Sequence, residues 1–487
     1  MSNAITTDLL IAGELSTGRG APRDVRNPAT EEVVAVVHDG SVDDLERALA
    51  AADRAWGPWA ATPPGERATI LRRIADLLDE HAEELAQLLV AEVGKPISEA
   101  RGETGATSGY FRYTASLLET LTDEMGYTPN KGESLWVRRR PHGVVGAIIP
   151  WNYPSALTSR KVAPAIAAGN AIVVKPDEKT PLSALAVARI IHDSGLLPPG
   201  LVNVVTGPGE VIGSALVTSR ATQMISMTGS TFAGKAILAA AASQVKPVSL
   251  ELGGNAPLIV MPDADLDHAV AETVASRHAN NGQVCICAER IFVHRDVYDD
   301  FVERYVAAVG ELVVGDPLSE STQLGPKVSR AELEKTQALV AESIAQGARV
   351  VLGADLPDAE AFRAGYWMNP VVLADVTDEM AVFTHEVFGP VSPISVFDTW
   401  DEVVARANDT NYGLSAYVFT SSLDTAFRAS DDLSFGEVYV NRTGPEEMNG
   451  FHTGFRESGL GGDDGPHGFD QFFRRQTTYV RHTSQRS

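Results

Sequence analysis

Cysteine is nearly absent: the 487 residues hold two, Cys285 and Cys287. Two thiols exclude a disulfide framework, and one intervening residue is too few for an unstrained bridge. Long apolar runs are missing as well, and no segment offers the roughly 18 uninterrupted apolar residues that a membrane span needs. Residues 1–15 carry Asp8 and Glu14 and lack a basic start, so they do not read as a secretory signal. Cationic residues are in short supply, with 40 Lys and Arg against 64 Asp and Glu and a net charge of −24. Such a surface repels nucleic acid and anionic membrane, so neither is expected as a partner. A reducing, cytoplasmic setting fits the cysteine usage. Metal-ligand spacing is also wanting. His385-Glu386 has Gly389 where a zinc-binding helix needs its second His, and no metal is assigned.

What is present is ordinary globular material, 44 % apolar, in a chain long enough for two or three domains. The first part reads as helical. Ser41-Val42-Asp43-Asp44 has the outline of a capping box before a helix over 45–56. Apolar spacing predicts one helix over 66–93, stopped by Gly94-Lys95-Pro96, and another over 98–121. Residues 125–140, punctuated by Pro129 and Gly132, suggest a projecting hairpin. Strands then alternate with helices: strands at 144–149, 171–174, 202–205, 223–227 and 248–250, helices at 153–168, 182–193, 209–218 and 234–242. That rhythm means βαβ units and a parallel sheet, with ligands at the carboxyl ends of its strands. From Leu258 a second α/β unit follows, with helices at 266–280, 298–313 and 330–345 and strands at 290–293, 391–397, 415–419 and 437–440. Residues 477–480 form a candidate edge strand.

Several short motifs carry chemistry. Cys285, read as lying at the end of a helix, supplies a nucleophilic thiol, and Glu251 in Leu250-Glu251-Leu252-Gly253-Gly254 supplies a carboxylate able to activate water. Together they suggest covalent catalysis through a thioester. Asn152, in Pro150-Trp151-Asn152-Tyr153-Pro154, offers a side-chain donor for an oxyanion, or else a helix cap. Gly229-Ser230-Thr231-Phe232-Ala233-Gly234-Lys235 nearly spells a P-loop, but Ala236 stands where a Mg²⁺-binding hydroxyl belongs, which excludes nucleoside triphosphate hydrolysis. A Gly-rich turn whose helix N-terminus can face a phosphate survives. Lys175 and Glu178 close a strand where a ribose and its phosphates would sit, and Glu178 would repel a 2′-phosphate, favouring NAD over NADP.

Taken in order, these motifs, with Glu386-Val387-Phe388-Gly389-Pro390 and Asn441, resemble the NAD(P)-dependent aldehyde dehydrogenase superfamily over nearly the whole chain. The resemblance implies an α/β fold with a Rossmann-type cofactor domain (1–122 and 143–253), an α/β catalytic domain (254–467) and a bridging β-hairpin with the C-terminal strand (123–142 and 468–487). That bridge implies a homodimer or homotetramer. It implies roles too: Cys285 as nucleophile, Glu251 as base, and Asn152 with the Cys285 N–H as oxyanion hole. Lys175, Glu178, Gly229 and Ser230 would hold the adenosine and pyrophosphate half of NAD, with NADP possible. Glu386 and Phe388 would hold the nicotinamide half, and Trp151, Leu252 and Asn441 would line the site. Glu251 argues for hydrolysis to a free acid, since CoA-acylating members lack it. Cys285-Ile286-Cys287-Ala288-Glu289-Arg290, Ser159-Arg160-Lys161 and Gly450-Phe451-His452 look like the bacterial lactaldehyde and glycolaldehyde branch. There Arg160, Glu446 and His452 would form a polar pocket for a small hydroxyaldehyde, or else a salt-bridged wall. Ile286 and Thr443-Gly444-Pro445 depart from that branch and leave room for a sugar-derived aldehyde, a semialdehyde or an aromatic aldehyde. A non-catalytic NAD-binding scaffold and a cofactor-free thiol hydrolase are the readings from other classes.

Overall fold

The computed structural model describes residues 5–353 and 360–482; the outer limits drawn at residues 1 and 487 lie outside these. Two sheets organise the chain. The first has eight strands, in the order Gly459–Leu460, Val248–Glu251, Met224–Thr228, Val144–Ile148, Ala171–Lys175, Val202–Val204, Leu9–Ile11 and Glu14–Ser16. Its five middle strands are parallel. Their side chains are almost wholly buried, as runs such as Val144-Val145 and Ile172-Val173-Val174 demand when helices cover both faces. The second sheet runs Arg349–Leu352, Val371–Ala374, Val391–Phe397, Ala288–His294, Ala256–Val260, Ser415–Phe419 and Glu437–Val440. It is parallel except where Arg349–Leu352 meets Val371–Ala374.

The hairpin is present as Glu124–Tyr127 and Glu133–Pro141, and the C-terminal strand Phe473–Arg481 pairs along the full length of its second arm. The capping box at Ser41 is formed, with Asp44 as its reciprocal partner, and starts the helix Val42–Ala60. The long helix expected over 66–93 is two helices, Pro64–Glu80 and Ala82–Val93, broken at His81 (φ −107°, ψ 11°). Leu71, Ile74 and Leu78 before the break and Leu85, Leu88 and Leu89 after it all pack inward, so the apolar rhythm runs on through it. The first part is also not purely helical: the strands Leu9–Ile11, Glu14–Ser16, Pro22–Arg26 and Val33–His38 precede the first helix.

One buried contact ties the helical layer to the site. Lys95 pairs with Glu103, both side chains fully buried, and donates to the Asn152 carbonyl at 2.9 Å. The other Glu103 oxygen accepts from the N–H groups of Ser155 and Ala156, at 2.9 and 3.2 Å. These begin the helix Pro154–Ala167, which has no side-chain cap of its own. Glu103 therefore caps that helix and, through Lys95, holds Asn152. Lys95→Met leaves a carboxylate buried without its cation, which costs about 3–5 kcal/mol, so a thermal melt of this variant shifts down sharply.

Candidate active site

Cys285 is presented by an irregular loop, not by a helix end. The helix Leu266–His278 gives way to a 3₁₀ turn, and Asn280, Asn281 and Gly282 take φ of 46°, 57° and 71° in succession. Three left-handed residues in a row need support. Asn281 donates to the Gly325 carbonyl at 2.8 Å, Asn280 to the Asn152 carbonyl at 3.0 Å, and Gln283 to the Asn280 carbonyl at 3.0 Å. At Gly282 a Cβ would lie 2.3 Å from the Gly389 carbonyl oxygen, so the loop admits only glycine there. The side chain expected as a helix cap or an oxyanion donor, Asn152, donates to the Gln283 carbonyl at 2.9 Å. It does not cap the helix that follows. Cys285 is half-buried, whereas Cys287 is fully buried and donates to the Ser276 carbonyl at 3.0 Å. Burial pushes the Cys285 thiol up, and the neighbouring His452 ring works in the opposite direction.

Glu251 ends the strand Val248–Glu251, 2 % exposed, and neither of its oxygens has a hydrogen-bond partner among the described residues. Burial raises its carboxyl to about 8, against the pull of His452. His452 Nε2 stands 3.3 Å from Glu251 Oε2, at ion-pair distance but off the line of a good hydrogen bond. One imidazole thus faces both the thiol and the carboxylate.

Arg160, Glu446 and His452 do come together, as part of a larger ionic cluster. Arg160 Nη1 meets Glu446 at 3.0 Å, and its Nε and Nη2 engage Asp464. Lys161 pairs with Asp463. His452 Nδ1 lies 3.2 Å from Glu437 and 3.9 Å from Glu446. Burial and Arg160 oppose the imidazolium, but the three carboxylates of Glu446, Glu251 and Glu437 win and hold His452 well above its ordinary range. The sequence reading missed Glu437, Asp463, Asp464 and Lys161 as members. Glu437 sat inside a strand pattern, and the two aspartates lay in a stretch read only for its glycines. Ile286 packs onto Gly444, where a Cβ would sit 2.3 Å from Ile286 Cδ1. Asn441 does not reach the cluster with its amide, which is closed onto the Thr420 backbone by two hydrogen bonds of 2.8 and 2.9 Å.

The remaining residues gather at the carboxyl ends of the parallel strands. Trp151 follows Val144–Ile148, Lys175 and Glu178 follow Ala171–Lys175, Gly229 and Ser230 follow Met224–Thr228, and Leu252 follows Val248–Glu251. Glu178 accepts from the Gly209 N–H at 2.6 Å and stands 3.6 Å from Lys175; burial works to raise its carboxyl, but the Lys175 charge and the Gly209 N–H hold it below the usual carboxylate range. Ser230 caps the helix Thr231–Ala242 through the Ala233 N–H. From the other unit come Glu386 and Phe388. Glu386 accepts from the Gly254 N–H at 2.9 Å, and burial raises it to about 7. Phe388 has φ 54°, and its N–H donates to Glu289, itself paired with Arg277 at 3.0 Å. Its ring meets Trp151 edge-on at 5.4 Å. This donor set fits a dinucleotide: a capped helix N-terminus for a phosphate, and a carboxylate pre-set at a strand end for a ribose. Thr228 Oγ1, buried at the same edge and without a partner among the described residues, supports the fit.

Both the two-sheet fold and the site place the chain in one class. The model of the aldehyde dehydrogenase family matches residues 16–478, and the chain belongs to that family, whose members are NAD(P)-dependent oxidoreductases. It is 48 % identical over 474 residues to the 3,6-anhydro-alpha-L-galactose dehydrogenase of Streptomyces coelicolor, covering 97 % of this chain and 96 % of the relative. It is 42 % identical to the lactaldehyde dehydrogenase of Escherichia coli, covering 99 % and 100 %. Among solved structures, a 3,6-anhydro-L-galactose dehydrogenase in complex with NAP superposes with a TM-score of 0.95 at 42 % identity, covering 97 % of this chain and 99 % of the other.

Proposed function

We infer that this chain oxidises a small hydroxyaldehyde to its carboxylic acid through a Cys285 thioester, with NAD preferred over NADP. The observation that carries this reading is the shared imidazole: His452 faces the Cys285 thiol on one hand and the Glu251 carboxylate on the other. In this reading Cys285 Sγ attacks the aldehyde carbon, and its proton passes to the neighbouring bases. Asn152 keeps one amide hydrogen for the oxyanion while the other is fixed on the Gln283 carbonyl. Bound NAD(P) supplies the two-electron acceptor. Glu251 then takes a proton from water as the water oxygen attacks the thioester carbon, and the thiolate leaves. Asn152→Ala lowers kcat by about 10²–10³ with KM little changed, since an oxyanion donor acts mainly in the transition state.

Substrate choice rests on the wall of Arg160, Glu446 and His452. Charged groups bonded among themselves still reward a substrate hydroxyl and penalise an alkyl chain, because burying such groups against an apolar partner is costly. A sugar-derived aldehyde rich in hydroxyls is the second reading, favoured by the likeness to the Streptomyces enzyme. Glu178, already anchored by Lys175 and Gly209, supports the preference for NAD. The test is reduction of NAD and NADP by purified protein against glycolaldehyde, lactaldehyde, a 3,6-anhydrosugar aldehyde, succinic semialdehyde, benzaldehyde and propanal, beside Cys285→Ala. A preference for propanal or benzaldehyde sinks the polar-pocket assignment.

The labels of cofactor domain for 1–122 and 143–253, catalytic domain for 254–467 and bridging element for 123–142 and 468–487 are part of the same proposal. So is a homodimer or homotetramer built through the hairpin, where Met125, Tyr127 and Tyr479 are 73 %, 94 % and 68 % exposed. Light scattering after size exclusion gives a dimer or tetramer mass, and a monomer mass refutes it. Among the described residues no helix is long and apolar enough to cross a membrane. A cytoplasmic location remains part of the proposal.

A further inference from the structure

We infer that Asp464 sets the substrate class of this site: it neutralises the Arg160 guanidinium from within the protein, so the wall serves a neutral hydroxyl and turns away an aldehyde that carries a carboxylate. It rests on the polar wall of the proposed function and narrows that reading against semialdehydes. Asp464 stands at the start of the short helix Gly465–Asp470 with φ 62° and ψ 170°, a backbone region that is essentially glycine's own. An Asp there ordinarily caps its helix, yet no side-chain cap hydrogen bond is made. The carboxylate goes to Arg160 instead, taking Nε at 3.1 Å with one oxygen and Nη2 with the other. The backbone is pinned on both sides. Asp463 exchanges two hydrogen bonds with His452, of 3.0 and 2.9 Å, and the Gly465 N–H donates to the Met448 carbonyl at 2.9 Å. A costly conformation, held by its neighbours and aimed at one guanidinium, points to a function.

A guanidinium with its fork free is a ready receptor for a carboxylate. Arg160 is already matched twice: Asp464 takes Nε and Nη2, and Glu446 meets Nη1 at 3.0 Å. Of the five N–H groups of an arginine, these contacts use three and leave two, enough for a hydroxyl oxygen. Asp463 lies 3.7 Å from Nε and is itself paired with Lys161. Across the wall, the carboxylates of Glu251, Glu437, Glu446, Asp463 and Asp464 face Arg160, Lys161 and His452 as cations. Burial raises Glu251 to about 8, and with that group protonated four anions still meet three cations. Burial raises Asp464 to about 6, so it is mostly charged at neutral pH. The wall lies beside the nucleophile, since Arg160 and Glu446 both act on the Cys285 thiol.

A substrate carboxylate entering this pocket adds negative charge to a surplus of negative charge and finds no unmatched cation. A hydroxyl accepts from a remaining Arg160 N–H and brings no charge with it. Removing the Asp464 charge evens the count and leaves one edge of Arg160 open to an anion. Asp464 acts here through Arg160 and is a positioning residue that fixes specificity.

The experiment compares two aldehydes of equal length that differ only at the far end, succinic semialdehyde with a carboxylate and 4-hydroxybutanal with a hydroxyl. Steady-state NADH formation by the purified protein gives kcat and KM for each. Wild type and Arg160→Met come first. An unchanged KM for 4-hydroxybutanal in this variant removes Arg160 from the substrate wall and overturns the reading beneath the inference. With Arg160 established as a contact, Asp464→Asn keeps the shape but carries no charge, and Asp464→Gly also relieves the backbone. Wild type has the lower kcat/KM for succinic semialdehyde. In both Asp464 variants the ratio of the two kcat/KM values moves toward succinic semialdehyde by roughly tenfold or more, mainly through a lower KM for it. A merely structural Asp464 lowers both aldehydes together and leaves the ratio where it was, and that result overturns the inference. So does a wild type that takes succinic semialdehyde as readily as 4-hydroxybutanal. If Asp464→Asn does not fold, Asp464→Gly decides by itself.

Discussion

Cys285→Ala loses aldehyde oxidation by at least about 10⁴-fold while its thermal melt and cofactor binding stay near wild type. The reason is local. The half-buried Sγ is lost, but the loop that presents it is held by other atoms: the Asn280, Asn281 and Gln283 side chains and the left-handed Gly282. The same substitution at Cys287 removes a thiol bonded to the Ser276 and Arg277 carbonyls and leaves turnover in place. Alkylation followed by mass spectrometry adds a second check, since Cys285 is labelled and the buried Cys287 is spared. Loss of activity with equal labelling of both residues counts against the assignment.

Glu251→Gln gives the second large effect, and a different one. Acylation survives, so a single equivalent of NADH forms rapidly per active site. Hydrolysis then falls by about 10²–10⁴-fold, the range typical of a lost general base. In wild type the pH profile carries the same signature. Burial raises the Glu251 carboxyl to about 8, so most of it is protonated and idle at neutral pH. Hydrolysis therefore climbs as pH rises toward 8 and beyond, and this limb disappears in the Gln variant. Rapid-quench or stopped-flow measurement of the NADH burst across pH checks both statements. A variant that loses the burst as well places Glu251 before acylation instead.

Much of this was legible in the chain because the chemistry sits in short contiguous motifs. Glu251 and Leu252 share one strand end, Trp151 and Asn152 follow another, and Asn280-Asn281-Gly282 announces a sharp turn before Cys285. The alternation of apolar runs and amphipathic helices likewise gave the parallel strands, several to the residue, as at Val391–Phe397 and Ser415–Phe419. What escaped was of two kinds. The break at His81 carries no Gly or Pro, and its flanks share one apolar face, so periodicity runs straight across it. The ionic cluster is the other. Arg160 precedes Glu437, His452 and Asp464 by more than 270 residues (437 − 160 = 277) and meets them only when the chain returns to the first sheet, which no spacing rule encodes. The strand Gly459–Leu460 is too short to show a pattern and takes its pairing from Val248–Glu251.

That returning strand bears on how the chain is made. Synthesis runs from residue 1 onward, and folding of the first sheet can begin once Val248–Glu251 has left the ribosome. Yet its edge stays open until Gly459–Leu460 emerges, more than 200 residues later (459 − 251 = 208). In the meantime Arg160 and Lys161, on a helix of that same sheet, wait for counter-charges that only Glu446, Asp463 and Asp464 provide. A nascent chain short of that tail holds two cations in a place designed to be neutral and dry. Completion of the active site and completion of the N-terminal core are therefore one late event in the life of each molecule.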